Sequence, residues 1–417
     1  MVSKELLPLS GFRDSLREPK SQLESLLREV FTSFGYIEME TPAIERADVL
    51  LGKYGPEAQK LLYLFEDNGG REVGLRYDLT VSLARYVAAN NQSLNFPFKR
   101  FEIGPAWRGE KPQRGRYRQF TQADVDIVGD NSAVGSEQEV LEIIKSAEKA
   151  LGIGLAVELN DRQLIEKTFD ELEIEASKRS ALLRLLDKSE KIKAETLYGQ
   201  LNKLGLTSAA KKQVESLFLS DAQLSSFGQI APERVDRLER LLGFASSIAL
   251  KAKFSPKMVR GLDYYTGVVI EANSAKEPQL GSLIGGGRYD DLIGCLAERK
   301  LSGVGVSFGV DRLVELFKSA APEGLFVVNF PPIENELRVW VNRLREKNMT
   351  VELFPDSAEE LGKQLKYADS RGYKKVVIPF EELWEKGVVA VKDLTSATQQ
   401  EVKRQFFESQ DETKRYV

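Results

Sequence analysis

The stretch from Phe98 to Phe120 constrains the fold of this chain more than any other segment. Apolar and polar residues alternate at its start, Arg, Lys and Gly crowd its middle, and aromatic residues close it. This pattern predicts two antiparallel strands joined by a long basic loop. The excess of positive charge favours a polyphosphate or a nucleic-acid end as partner, and an ordinary solvated hairpin is the alternative. The loop sets one acid, Glu110, against Arg108, Lys111, Arg114, Arg116 and Arg118.

Composition excludes several classes of chemistry. None of the 417 residues is histidine, so histidine-based acid–base catalysis, serine–histidine triads and histidine metal sites are excluded. The single cysteine, Cys295, excludes internal disulfides, disfavours a transition-metal centre and favours a cytoplasmic protein. The net charge of −4 means that any contact with nucleic acid comes from local patches. No segment has the unbroken apolar length of a membrane span, so no membrane partner is expected.

The sequence pattern changes three times along the chain. Helical spacing from Leu23 to Phe34 is followed by an alternating strand that ends at Pro42. From about residue 161 to 253, Lys, Glu, Leu and Ala dominate, which predicts a helical insertion. Glycine-rich strands then return, and short apolar strands alternate with helical stretches after Pro322, as in a small and largely parallel α/β sheet. We therefore expect one domain from residues 1–160 and 254–320, a helical insertion at 161–253 and a further domain at 324–417.

Five segments of the chain carry a family resemblance. Trp107–Glu110 and Arg116–Phe120 resemble motif 2 of the class II aminoacyl-tRNA synthetases, and Gly303–Leu313 resembles motif 3. Val259–Gly267 and Gly285–Leu292 resemble the two motifs specific to histidyl-tRNA synthetases. The resemblance implies an α+β class II catalytic domain, an antiparallel sheet flanked by helices. It also implies a helical insertion and a C-terminal α/β anticodon-binding domain.

The resemblance implies an enzyme, a histidine–tRNA ligase. ATP, with Mg²⁺, would activate histidine to histidyl-adenylate, and the histidyl group would pass to the 3′ end of tRNA-His. Positioning and charge stabilisation would carry the reaction without a side-chain general base. The family also implies a homodimer, formed through the helix from Leu23 and the strand that ends at Pro42.

Two other functions remain open at this stage. One is a non-catalytic, histidine-sensing paralogue, the regulatory subunit of ATP phosphoribosyltransferase. That paralogue usually lacks the anticodon-type domain and loses the ATP-binding arginines, all of which are present here. The other is an RNA-binding or kinase-associated module that uses the fold as a scaffold.

The resemblance assigns an ATP site. Arg108 would meet the α-phosphate and Arg116 the γ-phosphate, because guanidinium groups stabilise charge on phosphoryl oxygens without proton transfer. Phe120 would stack on adenine, Glu110 would contact the base edge, and Arg312 would contact the γ-phosphate beside adenine. The loop would reach the acceptor end of the tRNA through Lys111, Gln113 and Arg114.

A histidine site is implied in the same way. Asp78 and Thr80 would bind the ammonium, although the residues alone equally favour Asp78 as a helix cap. Gln122, Asp124 and Asp126 share one face of a strand; Gln122 would hold the carboxylate or amino end, and Asp126 would accept the imidazole N–H. Arg260 would be the catalytic arginine at the α-phosphate and would also contact histidine. The remaining pocket residues would be Tyr264, Tyr265, Gly286, Gly287 and Tyr289, with the two adjacent tyrosines alternatively core aromatics.

Overall fold

The hairpin expected from Phe98 to Phe120 lies inside the largest sheet of the computed structural model. Its strands, Phe98–Trp107 and Gln119–Val128, pair antiparallel from Phe98 with Val128 to Trp107 with Gln119. Nearly every side chain of the second strand is buried, because helices cover one face of the sheet and the other face lines a cavity. The predicted hairpin is therefore confirmed, but as a central pair of strands.

The structure describes residues 8–15, 17–51, 59–130, 134–189, 192–220, 222–259, 264–294, 301–318 and 324–408. These residues fall into two units, one within residues 1–318 and the other within residues 319–417. Among them, no helix is both long and apolar enough to cross a bilayer.

The strands of the first unit form one large and one small sheet. They are β1 (Ile37–Glu38), β2 (Ile44–Arg46), β3 (Leu64–Glu66), β4 (Glu72–Leu75), β5 (Phe98–Trp107), β6 (Gln119–Val128), β7 (Leu155–Asp161), β8 (Ala252–Phe254), β9 (Val268–Ser274), β10 (Ser282–Arg288) and β11 (Gly303–Gly309). The large sheet has the order β1-β5-β6-β11-β10-β9-β7-β8, and the small one has the order β2-β4-β3. The six central strands, β5, β6, β11, β10, β9 and β7, pair antiparallel with one another. The edge strands pair parallel, β1 with β5 and β8 with β7. This agrees with the expected antiparallel sheet.

The α-helices of this unit cover one face of the large sheet and extend beyond it. They are α1 (Glu18–Ser33), α2 (Ala47–Leu50), α3 (Thr80–Asn90), α4 (Gly135–Leu151), α5 (Arg162–Glu171), α6 (Ala176–Asp187), α7 (Ala194–Lys203), α8 (Ser208–Val214), α9 (Pro232–Ser247), α10 (Asp290–Gly294) and α11 (Val310–Val314). A π-helical turn at Glu215–Leu219 and 3₁₀ turns at Leu224–Phe227 and Pro278–Leu280 complete the set.

Helix α1 forms where the apolar spacing predicts it. Leu23, Leu27 and Phe31 are fully buried on one face, and the chain leaves the helix through Gly35 at a φ of 78°. The strand predicted to follow is shorter than expected and contains only Ile37–Glu38. Ladder pairing ends early because Thr41 bonds through its N–H and hydroxyl to the buried Glu102 carboxylate.

The segment predicted as a helical insertion contains α5 to α9. Asp161, the last residue of β7, caps α5 by accepting hydrogen bonds from the N–H groups of Gln163 and Leu164. Apolar side chains of these helices, among them Leu186 and Phe218, belong to the same hydrophobic cluster as the sheet and α1. The helices are therefore packed continuously with the rest of this unit.

The second unit is a mixed five-stranded sheet with helices. Its strands, in the order β13-β12-β14-β15-β16, pair parallel from β13 to β14 and antiparallel from β14 to β16, so the prediction of a largely parallel sheet is wrong for the last two strands. Short connections explain the difference, because a parallel crossover needs about a dozen residues or more. Residues 379–387 alone join β14 to β15, and β15 returns as β16 through a turn in which the Asp393 carboxylate accepts the N–H groups of Thr395 and Ser396. The elements are β12 (Leu325–Val327), α12 (Glu334–Glu346), β13 (Val351–Leu353), α13 (Leu361–Ser370), β14 (Lys375–Ile378), α14 (Glu381–Trp384), β15 (Val388–Asp393) and β16 (Gln399–Lys403), with 3₁₀ turns at Pro331–Ile333 and Arg404–Glu408.

Candidate active site

The open face of the large sheet lines a cavity of about 1280 Å³. Of the predicted residues, Gly287, Lys111 and Arg114 do not line the cavity, and Arg260 lies outside the described residues. Most of the others are far apart in sequence, and the strands bring them together. The cavity walls contain Asp78, Thr80, Arg108, Glu110, Gln113, Arg116, Phe120, Gln122, Asp126, Tyr264, Tyr265, Gly286, Tyr289 and Arg312.

Arg108 is held at one end of the cavity by aromatic neighbours. It leaves the end of β5, and its Nε donates to the carbonyl oxygen of Tyr77 at 3.1 Å. Its guanidinium carbon lies 4.3 Å from the ring centroid of Tyr77 and 5.0 Å from that of Phe120. These rings fix the cation and leave its outer N–H groups available to an anion.

Two further arginines converge on the same end. Arg116 forms an ion pair with Glu110 across the hairpin loop. Arg312, at the start of α11, donates to the carbonyl oxygens of Gly115 and Ser282. Burial lowers the pKa of Arg312, and the positive charges of Arg116 and Arg108 lower it further. A lowered arginine pKa means that this end of the cavity is short of negative charge, which an incoming polyphosphate would supply.

The base of the hairpin is tied to α11 by residues that the sequence did not single out. The Asp311 carboxylate accepts a hydrogen bond from the Thr121 N–H at 2.6 Å. It also forms ion pairs with Arg13 at 2.9 Å and with Lys20 at 3.3 Å. The Arg13 guanidinium also lies 3.8 Å from the ring centroid of Tyr117. One carboxylate thus fixes the N-terminal segment, β6 and α11 against each other.

The tip of the hairpin loop is exposed. Lys111, Gln113 and Arg114 are all accessible, and Arg114 pairs with Glu315 at 2.9 Å. Gln113 alone of the three also lines the cavity. The loop thus extends from the arginine end of the cavity into solvent.

Carboxylates occupy the other end of the cavity. Asp78 accepts the N–H groups of Thr80 at 3.1 Å and Val81 at 3.0 Å, so the helix-cap interpretation of Asp78 is confirmed. Asp126 accepts the Tyr289 hydroxyl at 2.5 Å and lies 2.9 Å from a terminal nitrogen of Arg100. Burial raises the pKa of Asp126, and the Arg100 charge opposes that rise.

Asp124 lies on β6 between Gln122 and Asp126 and is 2% exposed. Burial and the neighbouring Asp126 charge raise the pKa of Asp124 to about 8, although Arg100 acts in the opposite direction. Its carboxylate lies 3.5 Å from the Thr80 hydroxyl and hydrogen-bonds Ser307 of β11. No motif in the sequence assigned Asp124 a role of its own. The alternation along β6 put it on the right face, but only the fold brings Thr80 and Ser307 to it.

The three predicted tyrosines form one aromatic cluster at the carboxylate end. The ring centroids of Tyr264 and Tyr265 are 5.0 Å apart, and those of Tyr264 and Tyr289 are 6.1 Å apart. All three side chains line the cavity and belong to or pack against one apolar cluster, so the core and pocket interpretations both hold. Beneath them, a Cβ on Gly286 would lie 2.2 Å from the Gly305 carbonyl oxygen, so the close approach of β10 and β11 requires glycine there.

The donor set does not itself build a resident metal site. Within the described ranges, no group of three or more Cys, Asp or Glu side chains could hold a metal ion.

Comparison with known proteins gives this site its family. Residues 11–313 match the family model described as histidyl-tRNA synthetase, and residues 326–410 match that of an anticodon-binding domain. The chain belongs to the histidyl-tRNA synthetase family. Histidyl-tRNA synthetases are aminoacyl-tRNA synthetases, and the chain matches relatives of this name along nearly their whole length. Two of them are the histidine–tRNA ligases of Rhodopirellula baltica, 37% identical with 94% of each chain covered, and of Wolinella succinogenes, 34% identical with 93% of each covered.

Solved structures agree on the fold. A histidyl-tRNA synthetase from Nostoc sp. PCC 7120 superposes with a TM-score of 0.83 at 26% identity, covering 98% of this chain and 99% of that one. An ATP phosphoribosyltransferase regulatory subunit/histidyl-tRNA synthetase from Bacillus halodurans gives a TM-score of 0.71 at 21% identity, covering 87% and 96%. The latter shares the fold, while the full-length ligase relatives favour a histidyl-tRNA synthetase over the regulatory subunit.

Proposed function

We propose that this chain activates histidine with ATP and transfers the histidyl group to the 3′ end of tRNA-His. One observation carries the proposal: a single cavity has arginines at one end and buried carboxylates at the other. Such a cavity suits two substrates of opposite local charge, the triphosphate of ATP and the ammonium and imidazole groups of histidine. In-line attack then requires only that an oxygen of the histidine carboxylate lie next to the α-phosphorus of ATP, between the two ends of the cavity.

ATP would occupy the arginine end. Arg108 would contact the α-phosphate, and Arg116 and Arg312 would contact the γ-phosphate. Phe120, beside Arg108, would stack on adenine, and Glu110 would accept from the base edge. The guanidinium groups would stabilise the charge that builds on the phosphoryl oxygens, without moving a proton.

Histidine would occupy the carboxylate end. Thr80 and Asp78 would lie at its ammonium, Gln122 at its carboxylate or amino end, and Asp126 at its imidazole. The tyrosine cluster would exclude water and so strengthen these contacts. Arg260 is assigned to the α-phosphate by its sequence motif alone. The remaining wall residues would be Tyr264, Tyr265, Gly286 and Tyr289, with Gly287 next to Gly286 on β10.

The tRNA would use surfaces outside the cavity. The exposed loop residues Lys111, Gln113 and Arg114 would meet its acceptor end, and the second unit would bind its anticodon. We also propose a homodimer, for which α1 and the edge strand β1 offer a surface: Ile37 is 64% exposed and Ile44 is 51% exposed. The single cysteine and the proposed role in translation are consistent with a cytoplasmic enzyme.

Histidine-dependent exchange of pyrophosphate into ATP tests the proposal. The wild-type chain should catalyse exchange with histidine and not with other amino acids. Arg312→Ala should reduce it by about 100-fold or more, since removing one transition-state donor has effects of this size. Arg240→Ala, which removes an exposed arginine of α9, is the matched control and should leave exchange unchanged.

The opposite outcome is equally clear. A wild-type chain that binds histidine but supports no exchange would be the histidine-sensing paralogue. Exchange that survives Arg312→Ala would show that the arginine end is not the phosphate site.

A further inference from the structure

Asp124 is a buried carboxylate of the pocket, and one of its oxygens has no hydrogen-bond partner in the described part of the chain. Its Oδ1 has no hydrogen bond, and neither oxygen has an ion pair there. The side chain lines the cavity and is 2% exposed. Asp126, by contrast, holds the Tyr289 hydroxyl and the Arg100 guanidinium. The carboxylate best placed to receive a substrate cation is therefore Asp124.

Among the described residues Asp124 forms no ion pair, and the charge of Arg100 favours its ionised form without outweighing burial and the charge of Asp126. On β5, Arg100 pairs with Asp126 at 2.9 Å, and Glu102 pairs with Arg76 at 2.7 Å. Asp78 faces it from the start of α3 and repels its charged form, as Asp126 does from β6 itself. The described part of β11 presents Ser307 and Gly305 to it, and neither carries charge. Burial raises the pKa of Tyr265 and Tyr289, so both hydroxyls stay neutral.

A buried carboxylate in these surroundings takes up a proton, because desolvation and like charges both disfavour its ionised form. An opposite charge brought within hydrogen-bonding distance reverses this preference. Among the groups of histidine, the ammonium is the permanent cation near pH 7. The contact of Asp124 with Thr80 places it beside the end of α3, while Asp126, two residues along the same face, lies about 7 Å further on beside Tyr289.

We propose that Asp124 binds the ammonium group of the substrate amino acid, and that it carries a proton in the ligand-free pocket and releases that proton to solvent on binding. The inference rests on the proposed function, because it takes histidine as the ligand. One proton leaves the Asp124 carboxyl for water, and the ammonium, which keeps its own protons, forms the ion pair. Recognition of the amino end is thereby linked to pH, and recognition of the ring is not.

Calorimetry of ligand binding to the full chain tests this at pH 7.5. Titrations in phosphate and in Tris, whose ionisation enthalpies differ, give the number of protons released. Histidine and histidinol, which both have the ammonium, should release about 0.5 to 1 proton more than imidazolepropionate, which lacks it. The ring of imidazolepropionate is more basic than that of histidine, so the ring ionisation of each free ligand is measured separately and subtracted. The chain contains no histidine, so no protein imidazole contributes.

Asp124→Asn gives the second readout. Asparagine keeps the shape of the protonated carboxyl, so the excess proton release should disappear and histidine should bind at least about 10-fold more weakly. Imidazolepropionate should bind both proteins alike. Asp236→Asn, which changes an exposed carboxylate of α9, should leave every quantity unchanged.

Thermal melts monitor the fold of the variants. Because the folded pKa of Asp124 lies above its unfolded value, the stability from its protonated form is full below the unfolded pKa and is lost progressively as pH rises to about 8. Asp124→Asn should therefore flatten the fall in Tm between about pH 5 and pH 8.

Each result has a defined meaning. Equal proton release with histidine and imidazolepropionate would overturn the inference, as would proton release with imidazolepropionate alone. Undiminished histidine affinity in Asp124→Asn would overturn it as well. If histidine-dependent exchange is present in those cases, the proposed function stands and only this inference fails. A wild-type chain that neither binds histidine nor supports exchange would remove both.

Discussion

Gly305→Ala offers a direct test of the carboxylate end of the cavity. Gly305 lies on β11 opposite Asp126 of β6. An added Cβ would lie 2.0 Å from Asp126 Oδ1 and 2.6 Å from the Val125 carbonyl oxygen, where ordinary contact begins near 3.4 Å. The backbone oxygen is held in the sheet, so the Asp126 side chain has to turn away.

The structure sets the size of the effect. Turning Asp126 away breaks its hydrogen bond with Tyr289 and its ion pair with Arg100, which is 0% exposed and keeps only the longer contact with Glu102 at 3.7 Å. Breaking a buried ion pair costs about 3 to 5 kcal/mol, which is larger than the cost of overpacking alone. For a unit of this size we expect the Tm to fall by roughly 5 to 8 °C. The histidine pocket is changed by the same movement, so exchange with histidine should fall by about 100-fold.

Scanning calorimetry and pyrophosphate exchange measure the two effects. Gly285→Ala is the stability control, because its Cβ would lie 3.7 Å from the nearest atom, the Ser282 hydroxyl oxygen. Its Tm should stay within about 1 °C of wild type. If Gly305→Ala melts with wild-type Tm and exchanges normally, then Asp126 is not held by Tyr289 and Arg100 as described.

Two further substitutions test parts of the molecule outside the cavity. Glu137, buried on α4, accepts hydrogen bonds from Arg288 and Arg237; burial alone would raise its pKa, but these two cations lower it below 4.5. Glu137→Gln should therefore lower the Tm at pH 7 by several degrees. The difference from wild type should shrink as pH falls from the ordinary glutamate pKa through the lowered pKa of the folded state, and a gap independent of pH would contradict the assignment. In the second unit, the buried Gln364 amide exchanges hydrogen bonds with the backbone N–H and carbonyl of Asn329. Gln364→Leu should destabilise that unit by about 1 to 3 kcal/mol in denaturation followed by Trp fluorescence while leaving pyrophosphate exchange unchanged, and loss of exchange would show that the effect reaches the first unit.

Local patterns predicted much of this fold. The alternation through β5 and β6 and the helical spacing of α1 were sufficient, because each element buries one face in a regular period. The second sheet shows the limit. Apolar runs such as Lys375–Ile378 and Val388–Asp393 indicate strands but not their direction, which here depends on the short connection through residues 379–387.

The candidate site shows a different limit. Motif resemblance predicted that Arg108, Arg116 and Arg312 belong to one site, and in the structure all three line the same cavity. From alternation alone, Arg100 would be predicted to be one more solvent-facing polar residue of a strand. In the structure it is fully buried and forms an ion pair with Asp126. Pairing across strands depends on register, and that information is spread over the whole sheet.

The contact of Arg13 with Asp311 joins residues 298 positions apart. No local pattern relates them, and each alone is an ordinary surface charge. Their importance arises because Asp311 also accepts the Thr121 N–H, where the hairpin returns to the sheet. Residues that bind a ligand are easier to recognise in a sequence than residues that hold the binding residues in position.

The glycines where β10 and β11 meet have a consequence for how this pocket can change. At Gly286 and Gly305 the space that a side chain would need is occupied by the neighbouring strand or by Asp126. The floor of the pocket is therefore made of peptide groups, which are the same whatever amino acid is encoded nearby. A new substrate preference could not arise there by single substitutions without deforming the sheet. Any drift in selectivity must begin in the walls, where side chains such as Asp124 and Tyr265 can be exchanged one at a time.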